Sequence, residues 1–270
     1  MDVNALLISM GSMGGMGALF ALGLIFADIK LHVDEDPRIA LVLDELPGAN
    51  CGGCGYPGCS AFAERIVDGS ASITACPVNT ADGVAEIAKI MGVEAEAGEK
   101  IVARVLCKGG KEQTAKKGEY IGIKTCMAAH LTFGADRLCQ YGCLGYGDCE
   151  QSCPFDAIKM DDNGLPIVDD EKCTGCGNCV TACPRKIIEI HPISHNLFVF
   201  CKNQDDAKYA RSVCIKSCNG CKACVKAVDE GLIVMQNNLA VINYDAYGTV
   251  TELPTQKCPT GAIDLISSRS

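Results

Sequence analysis

Cys173-Thr174-Gly175-Cys176-Gly177-Asn178-Cys179-Val180-Thr181-Ala182-Cys183-Pro184 is the stretch whose reading decides how this chain folds. Two-residue gaps let one tight loop aim three thiolates at three corners of a 4Fe-4S cube, while the fourth cysteine, ahead of proline, reaches a second cube. Gly175 and Gly177 let the backbone curl close. A tetrahedral zinc site is the competing reading, but three closely spaced thiolates followed by Cys-Pro suit its two-plus-two ligand pattern poorly.

Upstream, Cys139-x3-Cys143-x5-Cys149-x3-Cys153-Pro154 reads as an expanded version of the same run. By the crossover rule, Cys139, Cys143, Cys149 and Cys183 are expected to hold one cube, and Cys153, Cys173, Cys176 and Cys179 the other. Between the runs, Ile158-Lys159-Met160, a turn at Asp162-Asn163-Gly164 and Leu165-Pro166-Ile167-Val168 predict a β-hairpin.

The pattern then repeats. Ile233-Val234-Met235, Asn237-Asn238 and Leu239-Ala240-Val241-Ile242 restate the hairpin, and Phe198-Val199-Phe200-Cys201-Lys202 echoes Arg104-Val105-Leu106-Cys107-Lys108. The second copy keeps Cys218-x2-Cys221-x2-Cys224 and Cys258-Pro259, but Val228 stands where the next ligand falls and 247–253 contains no cysteine. What is missing is one whole ligand set. Cys218, Cys221, Cys224 and Cys258 are therefore expected to bind a single cube.

Nearer the N-terminus, Cys51-x2-Cys54-x4-Cys59-x16-Cys76-Pro77 sits among Gly48, Gly52, Gly53, Gly55 and Gly58. A glycine-rich loop ahead of a helix N-terminus favours anionic sulfur, so a fourth cube is expected on Cys51, Cys54, Cys59 and Cys76, with zinc as the alternative. Sixteen of the twenty cysteines are thus assigned to four 4Fe-4S clusters. Cys107, Cys126, Cys201 and Cys214 remain, read as buried free thiols, with a further cluster or a redox-active pair as alternatives. Cys214 matches Cys139 by spacing and competes with Cys218 for the last cube.

Cysteines this close in sequence cannot staple distant segments as disulfides, which argues for thiolate ligation in a reducing compartment. The chain carries a net charge of −9, all of it within the first hundred residues, which hold fourteen acids against five bases. That balance argues against nucleic acid as a partner. Two basic stretches lie beside cluster motifs: Lys108, Lys111, Lys116, Lys117 and Lys124, then Lys202, Lys208, Arg211, Lys216, Lys222 and Lys226. They read either as a dock for a small acidic electron carrier or as solvated faces. The four histidines are scattered and read as ordinary surface or core residues.

Ala5 to Ala27 is uncharged over 23 residues, long enough to cross about 30 Å of hydrocarbon as a helix. A cleaved signal would want a basic start and a small-residue site; only Asp2 precedes the run, so an uncleaved anchor is expected. Gly11, Gly14, Gly15, Gly17, Ala18 and Ala21 fall at small-xxx-small spacing, which admits a partner helix in the bilayer or simply reflects how common glycine is there. Lys30 and Arg38 follow the helix and no base precedes it, placing the body on the cytoplasmic side of the cell membrane as a single-pass protein.

The fold class expected is α+β: a transmembrane anchor (1–28), an α-rich four-cysteine domain (29–95), a β-rich connector (96–133), a two-cluster ferredoxin module of bacterial type (134–190) and a degenerate one with one cluster (191–270). Helices are predicted over 37–46, 60–68 and 81–91, and strands over 101–106 and near 120–123.

Asn50-Cys51-Gly52-Gly53-Cys54-Gly55-Tyr56-Pro57-Gly58-Cys59 and Tyr141-Gly142-Cys143-Leu144-Gly145-Tyr146-Gly147-Asp148-Cys149 closely resemble the B subunits of Rnf electron-transport complexes, and the resemblance runs over essentially the whole chain. It implies a subunit of a membrane complex that moves electrons between soluble ferredoxin and NAD, coupled to sodium or proton translocation, with this subunit at the ferredoxin side and flavin and NAD chemistry in partner subunits. Long family members carry a complete second ferredoxin module; this chain departs from that by one cluster set. It has no acid–base pair or nucleotide loop of its own, so its share of the reaction is one-electron relay. A membrane-anchored polyferredoxin serving another oxidoreductase, such as a hydrogenase, and a non-redox metal scaffold are the other readings.

Overall fold

A computed structural model describes residues 3–31, 36–94, 98–228, 231–246 and 254–266. Helix α1 (Val3–Leu31) contains the apolar span Met10–Lys30, the one helix among the described residues long and apolar enough to cross a membrane. Its large side chains, from Leu7 to Ile29, are exposed and none of the span is buried against the rest of the chain. Left in water, that surface is unfavourable by roughly 25 cal/mol per Å² of apolar area.

Three helices make the next unit: α2 (Pro37–Asp44), α3 (Cys59–Val67) and α4 (Ala81–Met91). Each boundary has a chemical cause. Asp36 caps α2 ahead of its first-turn proline, Thr80 Oγ1 accepts from Gly83 N at 3.1 Å to start α4, and Gly92 ends it in the left-handed conformation. Val42, Phe62, Ile66 and Ile87 interdigitate as their core, with Cys54, Cys59 and Cys76 packed on its edge.

Strand β1 (Ile101–Val105) does not stand in a separate connector. It pairs antiparallel with β4 (Ile188–Pro192), Ala103 opposite Ile190, and so closes the ferredoxin-type unit that also holds α6 (Asp148–Gln151), the β2/β3 hairpin (Ile158–Met160, Pro166–Val168) and α7 (Asn178–Ala182). Val102, Ala103, Ile158, Ile187 and Ile188 form its core with the cysteines around them. Arg104, 5% exposed, is paired with Asp170 at 2.5 Å. The strand expected near 120–123 is absent; that stretch is irregular, with Ile121 92% exposed and no neighbouring strand to pair with. It leads into α5 (Cys126–Leu131).

The same layout recurs downstream. β5 (Leu197–Val199) pairs with β8 (Ile263–Leu265), the β6/β7 hairpin (Ile233–Gln236, Leu239–Ile242) packs beneath, and α8 (Ala207–Val213) precedes the cysteine run. The correspondence extends to single bonds: Leu106 N donates to Ile187 O at 2.7 Å, and Phe200 N to Ala262 O at 2.7 Å. Across the junction of the two units, Lys108 pairs with Asp264 and the equivalent Lys202 pairs with Glu189. Residue i of one unit thus meets j of the other and the reverse, as in a twofold interface. Those two lysines are consequently spent on internal pairs. The cysteine-free stretch 247–253 lies outside the described residues.

Candidate iron–sulfur sites

Cys153, Cys173, Cys176 and Cys179 line one hollow of about 300 Å³, together with Ala103, Ile158 and Ile190. Its sulfurs are met by main-chain donors: Ala103 N lies 3.3 Å from Cys173 Sγ and Ala157 N 3.4 Å from Cys153 Sγ. Burial, followed by the neighbouring thiolates, pushes the Cys179 thiol up to about 12. Four thiolates crowded this way repel one another, so holding them together as anions requires cationic charge between them.

The second hollow, about 360 Å³, corrects the sequence reading. It is lined by Cys126, Cys143, Cys149 and Cys183, and Cys139 is not among its walls. The upstream run is not an expanded one. Counting from Cys143, positions 146, 149 and 153 fall on the ordinary two-, two- and three-residue gaps, with Tyr146 standing in the second place. Cys126, the first residue of α5, stands on the wall of this hollow beside Cys143, Cys149 and Cys183. It is latched there by Asp148, whose carboxylate oxygens accept from Cys126 N at 2.8 Å and Met127 N at 3.1 Å. Tyr146, displaced from ligand duty, packs edge-on to Tyr120. The Cys149 thiol is raised to about 12 by burial and then by Cys126 and Cys183. The signal that could have found Cys126 was the tyrosine: an x5 gap is two x2 gaps with one cysteine exchanged.

In the downstream unit, burial and then Cys218, Cys258 and Cys221 raise the Cys224 thiol to about 11, which brings those four residues to one place. Burial pushes Cys258 up, but hydrogen bonds from the Ile263, Thr260 and Ala262 amides and the Thr260 hydroxyl outweigh it, leaving its thiol below the ordinary value. In the helical unit, Cys76 is raised by burial and feels Cys54 and Cys51, while Cys59 N donates to Asn50 Oδ1 at 2.8 Å at the start of α3. Gly53 of this loop abuts the ferredoxin-type unit so closely that a Cβ there would stand 3.0 Å from Cys176 O.

Cys107, Cys201 and Cys214, with Cys126 read as buried free thiols, are not scattered either. The first three line a third hollow, of about 320 Å³, with Cys139 as its fourth cysteine. Among the described residues no three His, Cys, Asp or Glu side chains converge closely enough to share a single metal ion.

Helix-flanked hairpins carrying cysteine runs around such hollows define an iron–sulfur protein with a ferredoxin-type body. Comparison with known families agrees: 46–78 matches the family described as "Putative Fe-S cluster" and 138–187 the "4Fe-4S dicluster domain". The chain is 47% identical to the B subunit of the Na(+)-translocating ferredoxin:NAD(+) oxidoreductase complex of Acetobacterium woodii, over 97% of this chain and 78% of that protein. It is 38% identical to the proton-translocating counterpart of Clostridium ljungdahlii, covering 98% and 94% of the two chains. Against the B subunit of the ion-translocating oxidoreductase complex of Methanosarcina acetivorans the identity is 36%, over 97% and 99%. The chain belongs to this family of B subunits, the electron-transfer iron–sulfur subunits of Rnf-type complexes.

Proposed function

We propose that the chain takes single electrons from reduced soluble ferredoxin and passes them toward the flavin and NAD subunits of an ion-translocating membrane complex, or carries them in the opposite direction. Relatives named for sodium and proton translocation flank it at comparable coverage. A 4Fe-4S cube supplies one-electron exchange when bound. Four ligand sets are assigned: Cys51, Cys54, Cys59 and Cys76; Cys126, Cys143, Cys149 and Cys183; Cys153, Cys173, Cys176 and Cys179; and Cys218, Cys221, Cys224 and Cys258. On this reading the downstream unit is a second, degenerate ferredoxin module, and α1 anchors the body on the cytoplasmic side in a single pass.

The residues fit that chemistry. Main-chain amides point at sulfur, apolar walls of Ala103, Ile158, Ile187 and Ile188 exclude water, and Arg185, whose guanidinium burial disfavours, lies beside Cys139, Cys107 and Cys143. The observation that carries the proposal is the contact between Gly53 and Cys176, which abuts the loop of the tethered helical unit against a ligand loop of the ferredoxin body. The test is anaerobic purification of the complex, with iron and acid-labile sulfide counted per chain and EPR recorded after adding reduced ferredoxin. Ferredoxin-dependent cluster signals are expected. A chain without iron or sulfide, or clusters that ferredoxin never reduces, would overturn the proposal.

A further inference from the structure

We infer that Cys107, Cys139, Cys201 and Cys214 ligate a fifth 4Fe-4S cluster, seated at the junction of the two ferredoxin-type units. This rests on the reading of the chain as an iron–sulfur relay and adds a site to it.

The four cysteines are two equivalent pairs. Cys107 and Cys201 each follow the first strand of their unit, and Cys139 and Cys214 each stand four residues ahead of the first cysteine of their run, Cys143 and Cys218. Their sulfurs are treated alike. Cys107 Sγ accepts from Gly109 N at 3.4 Å and Cys143 N at 3.3 Å; Cys201 Sγ accepts from Asn203 N at 3.4 Å and Cys218 N at 3.3 Å. These amide-to-sulfur bonds match those at Cys173 and Cys153. The hollow between the pairs, like the two beside it, carries four cysteines on its walls.

Its walls are cut for something other than protein. A Cβ at Gly109 would lie 3.0 Å from Cys214 Sγ and 3.7 Å from Cys107 Sγ, and one at Gly142 would lie 3.3 Å from Cys139 Sγ and 3.4 Å from Cys107 Sγ. Two glycines therefore keep side chains out of the space among the sulfurs. Asn203, 1% exposed, lines the same hollow; its Oδ1 accepts from Asp205 N, while its Nδ2 has no partner among the described residues. An unpaired buried amide is unfavourable, and inorganic sulfide would accept from it.

The surroundings also want an anion. Arg137 is 3% exposed and donates to Gly109 O at 3.3 Å; Arg185 donates to Cys139 O and Gly142 O at 2.7 Å each. Neither has a carboxylate within ion-pair distance among the described residues. A buried cation without a counter-charge is strongly disfavoured. Four thiolates on a [4Fe-4S]2+ core, formed with release of four protons, leave a net charge of −2 to meet these arginines, with Lys202 and Lys216 at the rim. Uptake of one electron from a neighbouring cube and its release to another moves no bond and no proton.

The experiment is an iron, labile-sulfide and zinc count on the anaerobically purified full chain in its complex, with Mössbauer spectra of enriched protein, repeated for Cys201→Ser and for Cys139→Ser. The unmodified chain is expected to hold about twenty irons, and each variant about sixteen with the other spectra unchanged. About sixteen irons in the unmodified chain, with or without one zinc, would overturn the fifth site and leave the relay standing; no iron at all would overturn both. Should a variant fail to fold, the count on the unmodified chain decides.

Discussion

Removing the Asp148 carboxylate tests the proposed ligand set of Cys126, Cys143, Cys149 and Cys183. Asp148 holds α5 by two charge-assisted bonds, at 2.8 Å and 3.1 Å, and α5 carries Cys126 into the second hollow. Charge-assisted bonds contribute about 1.5 kcal/mol each at the low end of their range, appropriate for a half-buried carboxylate, so Asp148→Ala frees the helix start by about 3 kcal/mol. At 1.4 kcal/mol per decade, local opening becomes about a hundredfold more populated. Release of iron to a strong ferrous chelator under argon should accelerate by that factor for one site, about four irons, while the rest leave at the parent rate. Asp148→Asn keeps one acceptor and should restore about half of the free energy. An unchanged rate, or one accelerated uniformly over all sites, would refute the assignment of Cys126.

Pairwise removal separates the sets further: Cys126→Ala combined with Cys149→Ala should lose no more iron than either alone, whereas Cys139→Ala combined with Cys149→Ala should lose twice as much, both read by metal analysis. Gly175→Ala places a Cβ 2.5 Å from Ile101 Cγ1 and 2.8 Å from Ile101 O at a φ of +70°, and should cost about 2–5 kcal/mol, seen as a lowered Tm and loss of iron from the Cys173 site. Glu189 is held at about 2 by its hydrogen bond to His191 and by Lys202, against the opposing effect of burial. Because that folded value lies below the ordinary 4.5, its stabilisation is present above pH 4.5 and is lost as pH falls toward 2. Glu189→Gln should therefore lower the unfolding free energy near neutral pH by only on the order of 1 kcal/mol, because much of the carboxylate is exposed, and flatten the decline of stability in acid.

Local signals carried much of the architecture. The helical pattern over 81–91 marked α4 to the residue, and the turns at Asn163-Gly164 and Asn237-Asn238 marked both hairpins. The cysteine triplets at 51–59, 173–179 and 218–224 follow from gaps a single loop can bridge, while Cys76, Cys153 and Cys258 each lie well outside that loop. What escaped is what crosses between elements. Cys126 reaches its site from a helix more than twenty residues from Asp148, and a tyrosine hid the regular run by occupying its second place. The strand at 101–105 looked like connector because its partner, 188–192, lies some eighty residues away. The pairing of Cys107 and Cys139 with Cys201 and Cys214 depends on the reciprocal Lys108–Asp264 and Lys202–Glu189 contacts, which no periodicity announces.

Where Gly53 meets Cys176, an added Cβ would stand 3.0 Å from Cys176 O and 3.1 Å from its Cα. A glycine at that seam brings no side chain of its own, so the approach of the two loops is set by van der Waals contact of the Gly53 backbone with Cys176. A side chain at position 53 would have to push the helical unit's cysteine loop off the Cys176 loop by a few tenths of an ångström, a change of spacing that leaves every cysteine in place.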